Sequence, residues 1–475
     1  MAVFQNNLLA GAGAQSSDST HTIDQSIRFN DDDSAYMSRT LSASNRKTFT
    51  FSCWVKRGNL SSYQRIFNAY DSSDDEHLIF RDTDVLHFYS GDASADVKTN
   101  QVFRDPSAWY HIVCTVDTTN AVSSERVRLY VNGSRVTSLA TATYPSLNAD
   151  TGFNENVAHH IGVSSASSQY LDGYLAEIVF IDGQALDPSS FGETNSSGIW
   201  IPKDVSGLTF GTNGFHIDGR DASDLGDDES GQGNDFTTSG LAAHDQVLDS
   251  PTNNFATLNG VYADASGRGR GTLANGNLQV TGSSSGFNID ASTISLPKSG
   301  KWYFEYTIGG LYDGFGFCIV GQEGSISASN GLGQLSASQG GGIQYQGWIQ
   351  GAAYTVNFGS TFTAGHIHQV AIDVDNGKFY YGIQNTYYAA DAGTDGNPSA
   401  GTNHTDTFDF SSNDISLLTM TSNSSGSQHW NFGQNGAFNG QKTAQGNSDA
   451  NGVGNFYYGV PTGYLALCTK NLGAE

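Results

Sequence analysis

The sequence predicts an all-β protein: two antiparallel β-sandwiches in tandem behind a short N-terminal arm. Three observations carry this. Phe (27) and Tyr (22) are plentiful and fall in short runs cut by Gly (57), Asn, Asp and Ser, the pattern of strands joined by turns. Apolar residues alternate with period two in two separated sets of segments, with no convincing amphipathic helix between them. The chain's 475 residues are too many for one sandwich and suit two domains of ordinary size.

Residues 1–20 are small and polar around one apolar patch that includes Leu8 and Leu9. They read as an arm, either disordered or ordered by docking on a partner through those leucines. The first sandwich is expected over 21–190. Phe49, Phe51, Cys53 and Val55 alternate with Thr48, Thr50, Ser52 and Trp54, and Tyr110, Ile112, Cys114 and Val116 repeat the pattern. Val127, Leu129 and Val131 run into Asn132-Gly133, a type I′ hairpin signal. Tyr174, Ala176, Ile178 and Phe180 form a further alternating set. Residues 191–260 are rich in Gly and Asp with recurring short apolar pieces, and are expected to extend the first sandwich or link it to the next. The second sandwich is expected over 261–475. It holds Lys301-Trp302-Tyr303-Phe304-Glu305-Tyr306, a hairpin through Asp375-Asn376-Gly377-Lys378, and Trp430-Asn431-Phe432-Gly433.

The balance of 47 acidic against 22 basic residues gives a net charge of −25. With no Lys/Arg stripe to neutralise phosphates, direct nucleic-acid binding is not expected. The four cysteines are widely spaced, lack metal spacing, and suit reduced thiols in apolar strands. No signal-peptide pattern is visible at the start, and no run reaches membrane-spanning length, so membrane insertion is not expected.

Two resemblances rest on these segments. Phe51-Ser52-Cys53-Trp54-Val55-Lys56, Trp109-Tyr110-His111-Ile112, Leu129-Tyr130-Val131-Asn132-Gly133 and Leu171-Asp172-Gly173-Tyr174-Leu175-Ala176-Glu177-Ile178, in this order, resemble the laminin-G-like, concanavalin-type jelly roll. Gly300-Lys301-Trp302-Tyr303-Phe304-Glu305, the Ala371–Asp375 strand and Asn431-Phe432-Gly433-Gln434 are similar to the SPRY (B30.2-like) sandwich. That chain departs from the SPRY pattern at Gly365-His366 and at Gln384-Asn385-Thr386-Tyr387, which puts any family ligand groove in doubt. The ordered pair, bridged by Asp249–Phe255, resembles virion structural proteins of tailed phages, many of them marine. The resemblance implies a particle component, a fibre or surface adhesin, assembled in the host cytoplasm and exposed on the virion. It further implies other virion proteins as partners through the arm and a host glycan or protein as ligand. Open sandwich edges and fibre avidity point to a homo-oligomer, a trimer if it is a fibre. The alternatives are a purely structural decoration or connector protein and, third, a polysaccharide-degrading enzyme.

No enzyme is expected. Glu177 and Asp182 are the nearest pair to a glycosidase's two carboxylates, but no third acid follows in alternation. His159 and His160 are adjacent, so in a strand they point to opposite faces and cannot chelate one ion. His111 is expected to pack beside Trp109. Calcium is the bound ion the residues best allow, at oxygen-rich clusters including Asp31 and Asp33, Asp71 and Asp74, and Asp227 and Asp228, although each taken singly reads first as a solvated acidic turn. For ligand binding, Tyr345, Gln346, Trp348 and Gln350 place an aromatic face beside amides in an expected turn, suited to a sugar or to a subunit contact.

Overall fold

A computed structural model describes residues 21–473 except 71–74, 166, 263–269, 283–285, 311, 323–325, 327–331, 333–337, 345–346, 351–353, 358–361, 392 and 423–425. Leu8, Leu9, Asp71, Asp74, Tyr345 and Gln346 therefore lie outside the described residues. The chain divides between Asn254 and Phe255 into two compact units. Residues 255–260, which the sequence reading joined to the first sandwich, fall in the second unit, where Leu258 bridges Ser292.

The first unit is a jelly-roll-like sandwich. Its strands are β1 (Ser26–Phe29), β2 (Tyr36–Thr40), β3 (Thr48–Arg57), β4 (Gln64–Tyr70), β5 (Asp75–Phe80), β6 (Val85–Ser90), β7 (Ala95–Val102), β8 (Trp109–Asp117) and β9 (Val127–Val131). They continue with β10 (Ser134–Arg135), β11 (Leu139–Thr143), β12 (Ala158–Ile161), β13 (Gly173–Asp182), β14 (Gly192–Thr194), β15 (Trp200–Pro202), β16 (Phe215–Ile217), β17 (Thr237–Ser239) and β18 (Gln246–Val247). One antiparallel sheet runs β10-β9-β8-β3-β13-β1-β18, with β16 added to β13; the other runs β11-β7-β6-β5-β4-β12-β2-β17. Phe49, Phe51, Cys53 and Val55 of the first sheet meet Phe67, Leu78, Phe88 and Val97 of the second in one core. Asn132 (φ +47°) and Gly133 (φ +75°) turn β9 into β10 with the two left-handed residues a type I′ hairpin needs.

All ten residues of β13, and nine of the ten in β3, are buried. A sandwich strand with one wet face would alternate. Here the second face of the first sheet is covered by the segment after β13. Val113, Tyr130, Val179 and Ile181 pack under Phe191, Val205 and Phe210, and Trp54, Trp109 and Tyr174 pack with Ile23 and Val247. The expected single-face alternation of Tyr174, Ala176, Ile178 and Phe180 is also corrected. A β-bulge shifts the register between Ala176 and Val179, with Glu177 at φ +48°, so Ile178 and Phe180 enter the core while Tyr174 and Ala176 face the covering segment. Buried ion pairs tie this segment down. Lys56 Nζ donates to Asp249 Oδ2 and to Asn254 Oδ1, both at 2.7 Å, Trp109 Nε1 donates to Asp249 Oδ1 at 3.0 Å, and Arg28 pairs with Asp245 at 2.7 Å. The outer face of the second sheet is the more open one at its flanks: its side chains are partly exposed along β2, β7 and β12, and close over one another at the centre, on β4 and β5.

The second unit is a second two-sheet sandwich. One sheet orders Thr272–Ala274, Gln279–Thr281, Ser427–Asn431, Lys301–Thr307, Ile367–Asp373, Lys378–Ile383 and Thr386–Tyr388; the other orders Phe287–Ala291, Ile415–Ser422, Gly314–Ile319, Gly340–Gln344, Gly347–Gln350 and Tyr354–Asn357. Trp302, Phe304, Tyr306, Phe315, Phe317, Trp430 and Phe432 fill the space between them. On the far side of the first of these sheets, buried Glu305 accepts the N–H groups of Tyr457 and Tyr458, each at 2.8 Å, and the Tyr303 hydroxyl at 2.7 Å, pinning the segment that follows the sheet. Burial pushes the Glu305 carboxyl up to about 7 against the pull of those donors. Gln384 (φ +50°) and Asn385 (φ +66°) make a tight hairpin turn between Lys378–Ile383 and Thr386–Tyr388. All four cysteines are buried free thiols.

Candidate functional site

The open face of the second sheet gathers the polar and aromatic side chains that alternate with its core residues. In register across the strands lie His160 of β12, Asn68 of β4, His77 of β5, Tyr89 of β6 and Asp96 of β7. Their strand neighbours Phe67, Leu78, Phe88 and Val97 point the other way, into the core. A bulge after Arg65 keeps its guanidinium on the same face, where Nη1 and Nη2 meet the two Asp75 oxygens, each at 2.9 Å. Arg65 also donates to Asn68 Oδ1 at 2.9 Å and to Gln169 Oε1 at 2.7 Å.

From Asp75 a chain of contacts crosses the sheet. Asp75 Oδ2 lies 3.0 Å from His77 Nδ1, His77 Nε2 lies 3.3 Å from His87 Nδ1, and His87 Nε2 lies 3.0 Å from Asp96 Oδ1. Lys98 Nζ closes it, 3.4 Å from Asp96 Oδ2. Burial pushes the Asp75 carboxyl up, but hydrogen bonds from His77 and Arg65 outweigh it and hold the group well below the usual carboxylate range. Burial lowers both imidazoles, His87 to about 2 with nearby cations adding to the effect.

Aromatic rings border this strip. Tyr89 stacks on His77 (centroids 5.2 Å, 23°), Tyr36 lies 6.2 Å from His160 and 6.5 Å from Tyr170, and Tyr70 is 40% exposed. Arg65 donating to Asn68 Oδ1 fixes that amide's orientation and leaves Nδ2 as the donor. Asn68 is 0% exposed, yet its Nδ2 meets no partner, and neither does the adjacent His160 Nδ1. A buried donor left unmade costs about 1–3 kcal/mol.

The residues singled out from the sequence sit elsewhere. Trp348 and Gln350 belong to a strand, Gly347–Gln350, and not to the expected turn: Trp348 pairs with Ile343 on one side and Val356 on the other. The glycines around them masked the alternation. Asp31 is half-buried in a turn and accepts Asn59 Nδ2 at 3.1 Å; burial and the neighbouring Asp32 raise its carboxyl. Asp33 accepts Asn30 Nδ2 at 2.7 Å. Asp228 is buried and spends its oxygens on the N–H groups of His216, Ser230 and Asn234 and on the Ser230 hydroxyl, at 2.8–2.9 Å. Burial and Asp235 raise Asp227. Among the described residues, no three His, Cys, Asp or Glu side chains come together as a metal-holding group.

Glu177 and Asp182 lie on the covered sheet. Glu177 takes a hydrogen bond from His216 Nε2 at 2.9 Å, and Asp182 accepts Ser44 Oγ, Asn154 Nδ2 and Asn213 N. His159 faces the core and His160 the open strip, as adjacency in a strand requires. His111 does pack on tryptophan, but on Trp54 (4.7 Å) and Trp200 (5.9 Å) instead of Trp109. Its Nδ1 accepts the Trp200 indole N–H at 3.0 Å, so Nε2 carries the proton toward Ser52 Oγ at 2.9 Å.

Residues 29–190 match the family model of the concanavalin A-like lectin/glucanases superfamily. The matched stretch lies within the first unit. Solved structures similar to this chain include the TRIM65 PSpry domain, at 11% identity and a TM-score of 0.26, covering 37% of this chain and 92% of that one. A SAP-like pentraxin from Limulus polyphemus matches at 14% identity and a TM-score of 0.25, covering 35% and 80%. Domain 4 of AbnA, an extracellular arabinanase from Geobacillus stearothermophilus in complex with arabinotriose, matches at 21% identity and a TM-score of 0.23, covering 31% and 65%. No curated protein matches the chain.

Proposed function

We propose that this chain is a surface protein of a tailed-phage particle that holds a host-cell glycan on the open face of its first sandwich. The observation that carries the glycan reading is the buried, unpartnered Asn68 Nδ2 beside His160 Nδ1 on a sheet face bordered by Tyr36, Tyr70, Tyr89 and Tyr170. Sugars are recognised by such a combination: aromatic faces against the C–H faces of a ring, and fixed amide, carboxylate and guanidinium groups for hydroxyl and carbonyl oxygens. The match of residues 29–190 to a lectin/glucanase superfamily supports it. The particle setting rests on the resemblance of the two-sandwich order to virion proteins. In that setting the arm docks the protein on the virion, and homo-oligomers repeat the site for avidity.

The test is a glycan array probed with the full chain, then with Asn68→Asp and Tyr70→Ala. Asn68→Asp keeps the shape and exchanges the free donor for an acceptor, so the best-bound oligosaccharide is expected to lose about tenfold or more in affinity. An array without hits, or variants that bind as well as the parent, would overturn the glycan reading and leave the connector role. Release of reducing sugar from a bound polysaccharide would move the protein to the hydrolases.

A further inference from the structure

Two buried imidazoles, His77 (7% exposed) and His87 (3%), lie end to end between two carboxylates on the open face. Their three contacts, at 3.0, 3.3 and 3.0 Å, can be balanced proton by proton. An ionised carboxylate only accepts. Asp75 therefore needs a proton on His77 Nδ1, and Asp96 needs one on His87 Nε2. The imidazole–imidazole contact needs a third, on His77 Nε2 or His87 Nδ1. Two neutral imidazoles carry two protons between them. In the neutral pair one contact must set lone pair against lone pair, and the 3.3 Å contact is the longest of the three.

The surroundings pull both ways. From β4, Arg65 is bound to Asp75 through both terminal nitrogens, and from β7, Lys98 lies 3.4 Å from Asp96. Arg81, beyond the end of β5, adds a third cation whose charge disfavours protonation. Burial also opposes the extra charge and moves uptake to the acid side of a free imidazole. The carboxylates at the two ends favour it. Tyr89, stacked on His77, is the side chain through which a shift of that ring reaches the sheet surface.

We propose that His77 and His87 take up one shared proton on acidification, closing an unbroken Asp75–His77–His87–Asp96 chain, and that this proton changes the grip of the open face on its ligand. Loss of the proton opens the imidazole–imidazole contact and frees His77 to shift together with Tyr89. The coupling to ligand rests on the glycan reading of the same face; the shared proton does not.

The test is two-bond proton–nitrogen NMR of the full chain, labelled with 15N in histidine, titrated from neutral pH into acid. The ring signals of His77 and His87 are expected to move together through one midpoint, as a coupled pair does. In His87→Gln, and separately in His77→Gln, the remaining ring is expected to titrate alone at a different midpoint. Rings that titrate independently in the parent, or that both stay neutral down to acid unfolding, would overturn the proposal. A second arm measures binding of the best oligosaccharide from the array across the same pH range. A change of about fivefold or more in the parent, flattened in His87→Gln, is expected. A shared proton without any glycan binding keeps the chain and defeats the glycan reading, whereas glycan binding with independently titrating rings does the reverse.

Discussion

Replacing Asp249 by Ala tests whether the segment after β13 is an integral third layer of the first unit. Lys56 and Asp249 are 1% and 0% exposed at the side chain and 2.7 Å apart, with the ammonium also bound to Asn254 and the carboxylate to the Trp109 indole. Removing the carboxylate strips the buried ammonium of this counter-charge and takes from the Trp109 indole N–H the acceptor it has here. Breaking such a pair from one side costs about 3–5 kcal/mol. The cost falls on the local opening of residues 245–254, because Arg28–Asp245 and the β1–β18 pairing hold the same stretch. Hydrogen exchange read by mass spectrometry is the assay, since it reports that stretch separately from the second unit. Peptides over 245–254 are expected to exchange faster by about two to three and a half powers of ten, while those of the second unit stay unchanged. The double variant Lys56→Met/Asp249→Leu should recover much of the loss, because an apolar pair of similar volume carries no stranded charge. Acceleration under about fivefold in Asp249→Ala, or a double variant as costly as the two singles summed, would refute the claim that this pair locks the layer.

Two further outcomes follow from the first unit. His111 and His159 are buried, and burial lowers them to about 3 and about 4, below the unfolded value near 6.5. Their stabilisation is therefore present above pH 6.5 and lost as pH falls below it, by about 2 kcal/mol each between pH 7 and pH 5, and His159→Gln should remove its share of that slope in urea unfolding at the two pH values. Gly133→Ala should destabilise the unit by about 1–3 kcal/mol, because the position has φ +75° and a Cβ there would meet the Trp200 ring at 2.5 Å; near-ultraviolet circular dichroism checks whether Trp200 leaves its stack on His111.

What the sequence made legible, and what it hid, have one physical origin. Period two identifies a strand, and the I′ signal at Asn132-Gly133 fixes a hairpin, because both depend on neighbours in the chain. Which face of a strand meets water depends on what covers it, and that is set by residues far away in the chain. β3 and β13 gave the strongest apolar signals because the segment after β13 buries their second face. β4 to β6 carry weaker ones, because the side chains on their outer face are polar and bury one another. In Glu76-His77-Leu78 and Leu86-His87-Phe88-Tyr89 the polar members look like interruptions of an apolar run. One signal was available there. The two stretches flank the turn at Asp82-Thr83-Asp84, and antiparallel pairing across it sets His77 opposite Tyr89 and Ile79 opposite His87, placing both imidazoles on one face. Arg65 required more than that, since the bulge after it changes the face to which its guanidinium belongs. The acidic clusters stand out in the sequence for the complementary reason. Asp228 stands in a conspicuous run of carboxylates, but its oxygens accept the N–H groups of Ser230 and Asn234 in its own loop and of His216 in β16, so the run records how a turn-rich chain satisfies its N–H groups. Asn68 Nδ2 and His160 Nδ1 are among the buried polar atoms that meet no partner, and nothing in Phe67-Asn68-Ala69 or His159-His160-Ile161 sets them apart in the sequence.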